Sequence, residues 1–487
     1  MSQEYSHGSF ATERKTKLLG VLSAGANLSF VVGTAPINLT DESNVNKLER
    51  LQNQTEAVEK FGFSDDFESY TLSEAIDVFF KKYQVAPVYF VNVLDPKKHK
   101  KEAAAETNKF VNEQMVLTQL GALKSSVVVK VVPANGKGDA LILDPEKDYS
   151  LVFNDDNRLV VVRNPDGTIK PTDSLTVTYS VLDPSLVTAK DIIGVVDTQG
   201  NSSGIELANQ AYPKYNEILG SLIAPKYSRD LGVTSALLAT AKKLNVKYIA
   251  NALVDFDTSK MITYADAVAI KQKAGLIDAN LNILVGDLIS NGKRINQSTH
   301  LAALKQTIAA INGGIPNKNP SNKIYSGVTG FQLNGKDIYL DESQAQYLNK
   351  NGLIVSINNV AGWLCWGNRT AAFPASSDIK DIDIAIRDMF NWLRNTCILT
   401  TRQMVDEGID RGLVLRIENT LQSWLDGLVG IGKLISGSIQ FPKELNPESE
   451  LVMGNIKFLL KFTSGPTTSS IMTEIEFNVD DLVKIFG

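Results

Sequence analysis

Apolar and polar positions change rhythm several times along the chain, and each change marks a different kind of element. Leu28, Phe30, Val31 and Val32 form a short apolar run stopped by Gly33, the pattern of a buried strand. Leu72, Ala75, Ile76, Phe79 and Phe80 then recur at helical spacing. Thr71 and Glu74, three residues apart at the head of that stripe, predict a capping box. Val88, Tyr89, Phe90 and Val91 read as a second strand. Strand, helix and strand in that order predict a βαβ-type α/β unit.

The texture changes near Ser125. Runs at 127–132, 159–162 and 175–181 are strand-like. They are broken by turn signals at 135–138, at Asp155, Asp156 and Asn157, and at Asn164, Pro165, Asp166 and Gly167. Short strands with such turns predict a small all-β module. After about residue 190, helical patterns at 234–244, 264–274 and 299–311 alternate with strand patterns at 248–254 and 282–285. That alternation predicts a mainly parallel sheet covered by helices, so the β module reads as an insertion. From about residue 352 two amphipathic helices follow. One carries Ile382, Ile386, Met389, Phe390, Leu393 and Cys397; the other carries Val414, Ile417, Leu421, Trp424, Leu425 and Leu428. Segments 455–462 and 471–479 read as terminal strands, and residues 1–19 as a polar arm without a helical stripe.

Composition narrows the function classes. A chain of 487 residues is too long for one hydrophobic core and implies several domains. Net charge is −5 with no strongly basic half, which argues against nucleic acid as a main partner. Two cysteines, Cys365 and Cys397, give no disulfide framework and suit a reducing compartment. The first twenty residues lack a signal peptide's apolar core, and no apolar run approaches the roughly 18 residues of a membrane span. The expectation is a protein made and folded in the cytoplasm.

Catalytic patterns are weak. His7, His99 and His300 stand in unrelated contexts; His99 lies in a basic loop of lysines, and His300 reads as an ordinary packed or surface residue. The cysteines lack metal-ligand spacing. Gly427, Gly432 and Lys433 match the spacing of a phosphate loop, but Leu434 stands where Ser or Thr must hold magnesium, and the segment continues a helix. A glycine-terminated helix packed closely on a neighbour is the better reading there. Asp381 and Asp383 read as partners of a helix N-terminus. No catalytic, cofactor or metal residues are therefore assigned.

A resemblance adds to this reading. Residues 347–354 (Tyr347, Leu348, Asn349, Lys350, Asn351, Gly352, Leu353, Ile354), followed by Trp366, Gly367, Asn368, Arg369 and Thr370, resemble the most recognisable region of contractile tail sheath proteins of myophages and R-type bacteriocins. Pro320, Ser321, Asn322 and Lys323, with Gly327 and Val328, are similar to the family's segment just upstream. His7–Gly8, residues 32–36, Phe61–Gly62, residues 71–76, Ile386–Arg387 and residues 425–437 match further regions in the family's order. The chain departs from many relatives in carrying one arginine, Arg387, where they have two.

The resemblance implies a structural subunit that polymerises around a tail tube and contracts to drive the tube through a target envelope, without catalysis or cofactors. The implied fold is α/β and multidomain: an N-terminal arm (1–20), an α/β sheath domain in two parts (21–124 and 190–351), an inserted small β-sandwich (125–189), an α+β C-terminal domain next to the tube (352–470) and a C-terminal arm (471–487). The arms of such subunits add strands to a sheet in neighbouring copies, which implicates Tyr5, Phe10, Ile471, Ile475, Phe477 and Val479. In the arm, Ile471, Ile475 and Phe477 alternate with Glu474, Glu476 and Asn478. Arg416, Glu418, Gln422 and Asp426, on the polar side of the second C-terminal helix, are the candidates for tube contact. Implied partners are further copies of the chain in a helical or stacked-ring sheath, the tail tube protein, and baseplate and tail terminator proteins, with neither nucleic acid nor membrane insertion. Assembly in the host cytoplasm precedes release as a virion or tail particle. Two other readings stand beside this one: a subunit of another contractile injection system, and a cytoplasmic α/β enzyme.

Overall fold

The computed structural model describes residues 21–25, 27–132, 141–170, 173–478 and 484. The chain divides into two compact units. Residues up to 24 with Arg394–Gly465 form the smaller, and Gly25–Leu393 with the residues from 466 form the larger.

The larger unit is built on a nine-stranded sheet. Its strands are β1 (Ser29–Gly33), β2 (Glu49–Leu51), β3 (Val88–Asn92), β4 (Ser221–Ile223), β5 (Asn251–Asp255), β6 (Leu281–Leu284), β7 (Lys323–Ile324), β8 (Leu353–Asn359) and β9 (Gly362–Trp366). The spatial order is β7-β9-β8-β6-β5-β4-β1-β3-β2. The six strands from β8 to β3 run parallel, with Ser29 opposite both Ser221 and Val88. Antiparallel β2 closes one edge, and the β9–β7 pair closes the other. Every residue of β1, β3 and β5 is buried, as a parallel sheet covered on both faces requires. The βαβ unit expected at the N-terminal end is present, as are the alternating elements after residue 190, each within a few residues of its expected bounds.

The first helix, α1 (Gln54–Phe61), is capped by Asn53. The second, α2 (Thr71–Ile76), widens into a π turn at Asp77–Lys82. The capping box expected at its start does not form. Its first turn is instead held by the residue that follows β1: Thr34 accepts from Thr71 N through its hydroxyl (3.3 Å) and from Leu72 N through its carbonyl (2.9 Å). Glu74 is thereby free to turn into the core. There it accepts from Asn296 N (3.2 Å), from Asn296 Nδ2 (2.7 Å) and from the Thr299 hydroxyl.

Those partners begin α4 (Gln297–Ile311), which packs on the sheet as does α3 (Leu231–Lys242). The first turns of α4 are polar and fully buried, and several of their groups are bonded from distant elements. Ser298 donates to Asp255 from both its N–H and its hydroxyl. Lys305 pairs with Asp388 at 3.0 Å, and Gln306 bridges Ser29 N and the Pro87 carbonyl. His300 packs edge-on to Tyr83 and Tyr325, and burial pushes its imidazole down to about 3, so it is neutral.

Between β3 and α3 lies a strand-rich stretch with its own core, including Met115, Tyr149, Val161, Leu175 and Tyr179. Two antiparallel sheets build it: Gln114–Val116, Leu159–Arg163 and Tyr149–Phe153 form one, and Glu106–Lys109, Ser174–Thr178, Val128–Val132 and Leu141–Ile142 form the other. A short pair, Lys100–Glu102 with Ser180–Leu182, joins its ends. The strands start at Lys100, well before the rhythm change at Ser125. The two earliest, Lys100–Glu102 and Glu106–Lys109, are polar and almost wholly exposed, so no apolar alternation announces them.

The chain enters the smaller unit within α5 (Ile384–Thr401) and continues into α6 (Arg411–Gly430). Asp383 accepts from Ile386 N and so serves the N-terminus of α5 as expected. In α6 the buried stripe is Leu413, Ile417, Leu421, Leu425 and Leu428, with Asp410 as cap. After α6 come β10 (Ser436–Gln440) and β11 (Leu459–Thr463), paired antiparallel with Ile439 opposite Leu460. Gly432 follows the helix end in the left-handed region. Nothing in the described chain lies within van der Waals reach of a Cβ placed at Gly427, Gly430 or Gly432, so the close packing expected there is absent. The final expected strand is also absent: residues 471–478 have no regular structure, and Val479 lies outside the described residues.

Candidate functional site

The enzyme-like residues end in packing roles. His99 is buried, accepts from Asp95 N and lies 3.5 Å from Asp191. Cys365 is buried in β9, and burial drives its thiol up to about 12, where it is a poor nucleophile. Among the described residues no group of three or more His, Cys, Asp or Glu side chains is placed to hold a metal ion. No helix among them is long and apolar enough to cross a membrane.

The distinctive surface is the two-stranded sheet of the smaller unit. Two strands alone are marginal in water. This sheet survives because α6 supports it. Gly437 brings β10 close to the helix; a Cβ there would sit 3.1 Å from Leu425 Cβ. Ile439 is buried on the same face. The helix also serves the main chain of β10. Gln422 accepts from Ile439 N (3.0 Å) and donates to the Gly437 carbonyl (3.1 Å), so its side-chain amide acts as a peptide group of an added strand. Glu418 accepts from Phe441 N at 2.7 Å. On the far side of β11 no described strand is paired.

The second feature is the segment after Gly465, which belongs to the larger unit. It is tied down at its start. Thr467 accepts from Asn319 Nδ2 (3.3 Å), and Ser469 accepts from Asn368 Nδ2 (3.0 Å) and Arg369 Nη2 (3.3 Å). Beyond Ser469 the apolar residues stand in solvent: Ile471 is 86% exposed, Ile475 93% and Phe477 75%. Met472 is also 85% exposed, so four large apolar side chains of one short segment stand in solvent.

Of the residues singled out from sequence, Tyr5, Phe10 and Val479 lie outside the described residues. Arg416 is exposed and paired with Glu407, and Asp426 is exposed and accepts from Gln422 at 2.8 Å. Glu418 and Gln422 are half-buried and engaged with β10. Sequence reasoning missed the edge-covering role of Gln422, and it missed Gly437. The signal for the first was there. Residues 418 and 422 recur every four positions directly beside the apolar stripe, at the boundary a neighbouring strand can reach.

No protein-family profile matches the chain. The tail sheath protein of Burkholderia phage BcepMu is 27% identical over 500 aligned positions that cover 100% of both chains. Among solved structures, a chain of the sheath complex of an extracellular contractile injection system, PVC, in its contracted state superposes with a TM-score of 0.57 at 12% identity, covering 99% of this chain and 100% of that one. A chain of the baseplate of the anti-feeding prophage gives 0.57 at 13% identity, covering 98% and 99%. At such identity the structural likeness is one of fold.

Proposed function

We infer from these end-to-end likenesses that the chain belongs to the contractile tail sheath family and is a structural subunit of a contractile sheath. We propose that its copies polymerise around a tail tube, that the sheath stands on a baseplate, and that its contraction drives the tube through a target envelope. The observation that carries the reading is the pairing of an incomplete sheet with an exposed, alternating terminal segment in one chain. Strand addition between copies completes both, through main-chain hydrogen bonds worth roughly 0.5–1.5 kcal/mol net each. Repeated around a closed wall, such modest bonds become effectively permanent, because each broken link is held near its partner by the others.

The work then comes from packing rather than catalysis. An extended sheath held in a metastable arrangement releases free energy when its subunits reach a tighter one. The strand-rich stretch from residue 100 to 182 is an inserted domain in this reading, and contacts between such domains are a source of that energy. The exposed Arg416 and Asp426 of α6 are the positions to meet a tube, since Glu418 and Gln422 are already engaged with β10. Reversing both charges is expected to weaken assembly on a tube and leave the subunit folded.

Negative-stain electron microscopy of the purified chain with its tube protein tests the whole proposal. Sleeves around tubes or hollow cylinders are the expected result. Monodisperse single subunits at every concentration, with or without tube, would overturn it.

A further inference from the structure

We propose that an open cavity of about 190 Å³ beside Lys271 binds a small apolar carboxylate, its acid group on the lysine ammonium and its apolar body against Val268, Ile277 and Phe373. The site lies wholly within the larger unit and is independent of the sheath reading.

Lys271 is on the buried side of the helix Asp266–Ala274 and is only 4% exposed. A lysine so deeply buried is expected to meet a carboxylate, as Lys305 meets Asp388. Lys271 meets none among the described residues. Its ammonium donates instead to two main-chain carbonyls, those of Asn351 and of Phe373, the latter at 3.0 Å. Two of its three donors are thus satisfied by neutral groups, and the positive charge is left without a counter-charge. Burial alone pushes the amine down, to about 8, so at neutral pH it still carries its proton.

The seat of the ammonium is specific. Gly352 has a φ of +65°, and a Cβ there would lie 3.0 Å from Lys271 Nζ and 2.4 Å and 2.6 Å from the carbonyls of Thr370 and Phe373. Only glycine leaves room for the lysine head at that turn.

The adjoining cavity has the complementary character. Its walls are apolar at Val268, Ile277, Phe373, Pro374 and Ala375, and Lys271 is the only charged residue lining it. Pro374 and Ala375 are exposed, so a ligand can enter from solvent. One cation at the end of apolar walls selects an apolar body with a single negative group. Inorganic anions would leave the walls wet, and a neutral hydrocarbon would leave the charge unpaired. Volume sets the size: an apolar cavity of about 150 Å³ accepts benzene, so this one has room for a ring bearing one carboxylate.

Nuclear magnetic resonance titration of the full chain with benzoate tests the site, with benzamide as the neutral control of the same shape. Benzoate is expected to bind saturably and at least tenfold more tightly than benzamide. Lys271→Met should weaken benzoate at least tenfold and abolish its preference over benzamide. Ala375→Trp fills the cavity from its exposed rim and leaves the lysine in place, so it should also remove binding, and it decides the matter if Lys271→Met does not fold. No saturable binding below about 20 mM benzoate overturns the proposal. So does equal binding of the two compounds, or benzoate binding that survives Ala375→Trp.

Discussion

The nine-stranded sheet and the two-stranded sheet solve the same problem in opposite ways. Around α4 the larger unit buries polar groups that bond one another: Glu74 with Asn296 and Thr299, Asp255 with Ser298, Lys305 with Asp388. The smaller unit leaves an edge of β11 open, and the segment after Ser469 keeps its apolar residues in solvent. One region completes itself within a single copy. Under the proposed function the other is completed between copies.

Breaking the internal network should therefore damage the monomer most. Lys305 and Asp388 are 1% and 2% exposed as side chains, and Asn251 also donates to Asp388 at 2.7 Å. Lys305→Met strands a buried carboxylate and is expected to cost about 3–5 kcal/mol of unfolding free energy. Replacing both partners with apolar residues should recover much of that loss in thermal or urea denaturation.

Glu74 predicts a pH signature. Burial pushes its carboxyl from 4.5 up to about 8 against the opposing hydrogen bonds of Thr299 and Asn296. Between those values the folded protein keeps a proton that the unfolded chain has released, so stability is greatest at the acid end and falls as pH rises from about 4.5 to about 8. The fall is on the order of a few kcal/mol, and Glu74→Gln should remove it, as denaturation across that range would show.

The supported edge comes next. Gly437→Val pushes a branched side chain against Leu425 and is expected to cost roughly 1–3 kcal/mol, confined to the smaller unit. Hydrogen exchange in β10 and β11 would rise while β1 and β5 stay protected. The smallest monomer effect belongs to the arm. Ile475→Asp with Phe477→Asp should change monomer stability by no more than about 0.5 kcal/mol, because both side chains are exposed, yet should abolish assembly in sedimentation.

The same contrast explains what the sequence could reveal. Apolar rhythm located β1, β3, β5 and β6 because parallel strands are buried on both faces and read as continuous runs, but it did not mark β2, β4, β7, β8 or β9. At 471–478 the same reading predicts a strand, and those residues have no regular structure. Polar residues defeated it. The head of α4, with Gln297, Ser298, Thr299 and His300, looks like a surface helix and is buried, because its partners come from strands and helices distant in sequence. Thr71 and Glu74 have capping-box spacing, yet Thr34 takes over the cap and Glu74 serves another helix. Exposed edge strands such as Lys100–Glu102 carry no apolar signal at all. Glu418 and Gln422 read as candidates for tube contact, since nothing in a linear pattern shows a strand returning to bond them.

Hydrogen–deuterium exchange of the assembled sheath against the free subunit tests the central claim most directly. The account predicts that the amides of residues 471–478 and the outward-facing amide of Leu460 exchange rapidly in the subunit and become strongly protected together on assembly. Sheaths that form while both segments exchange as fast as in the free subunit would contradict it.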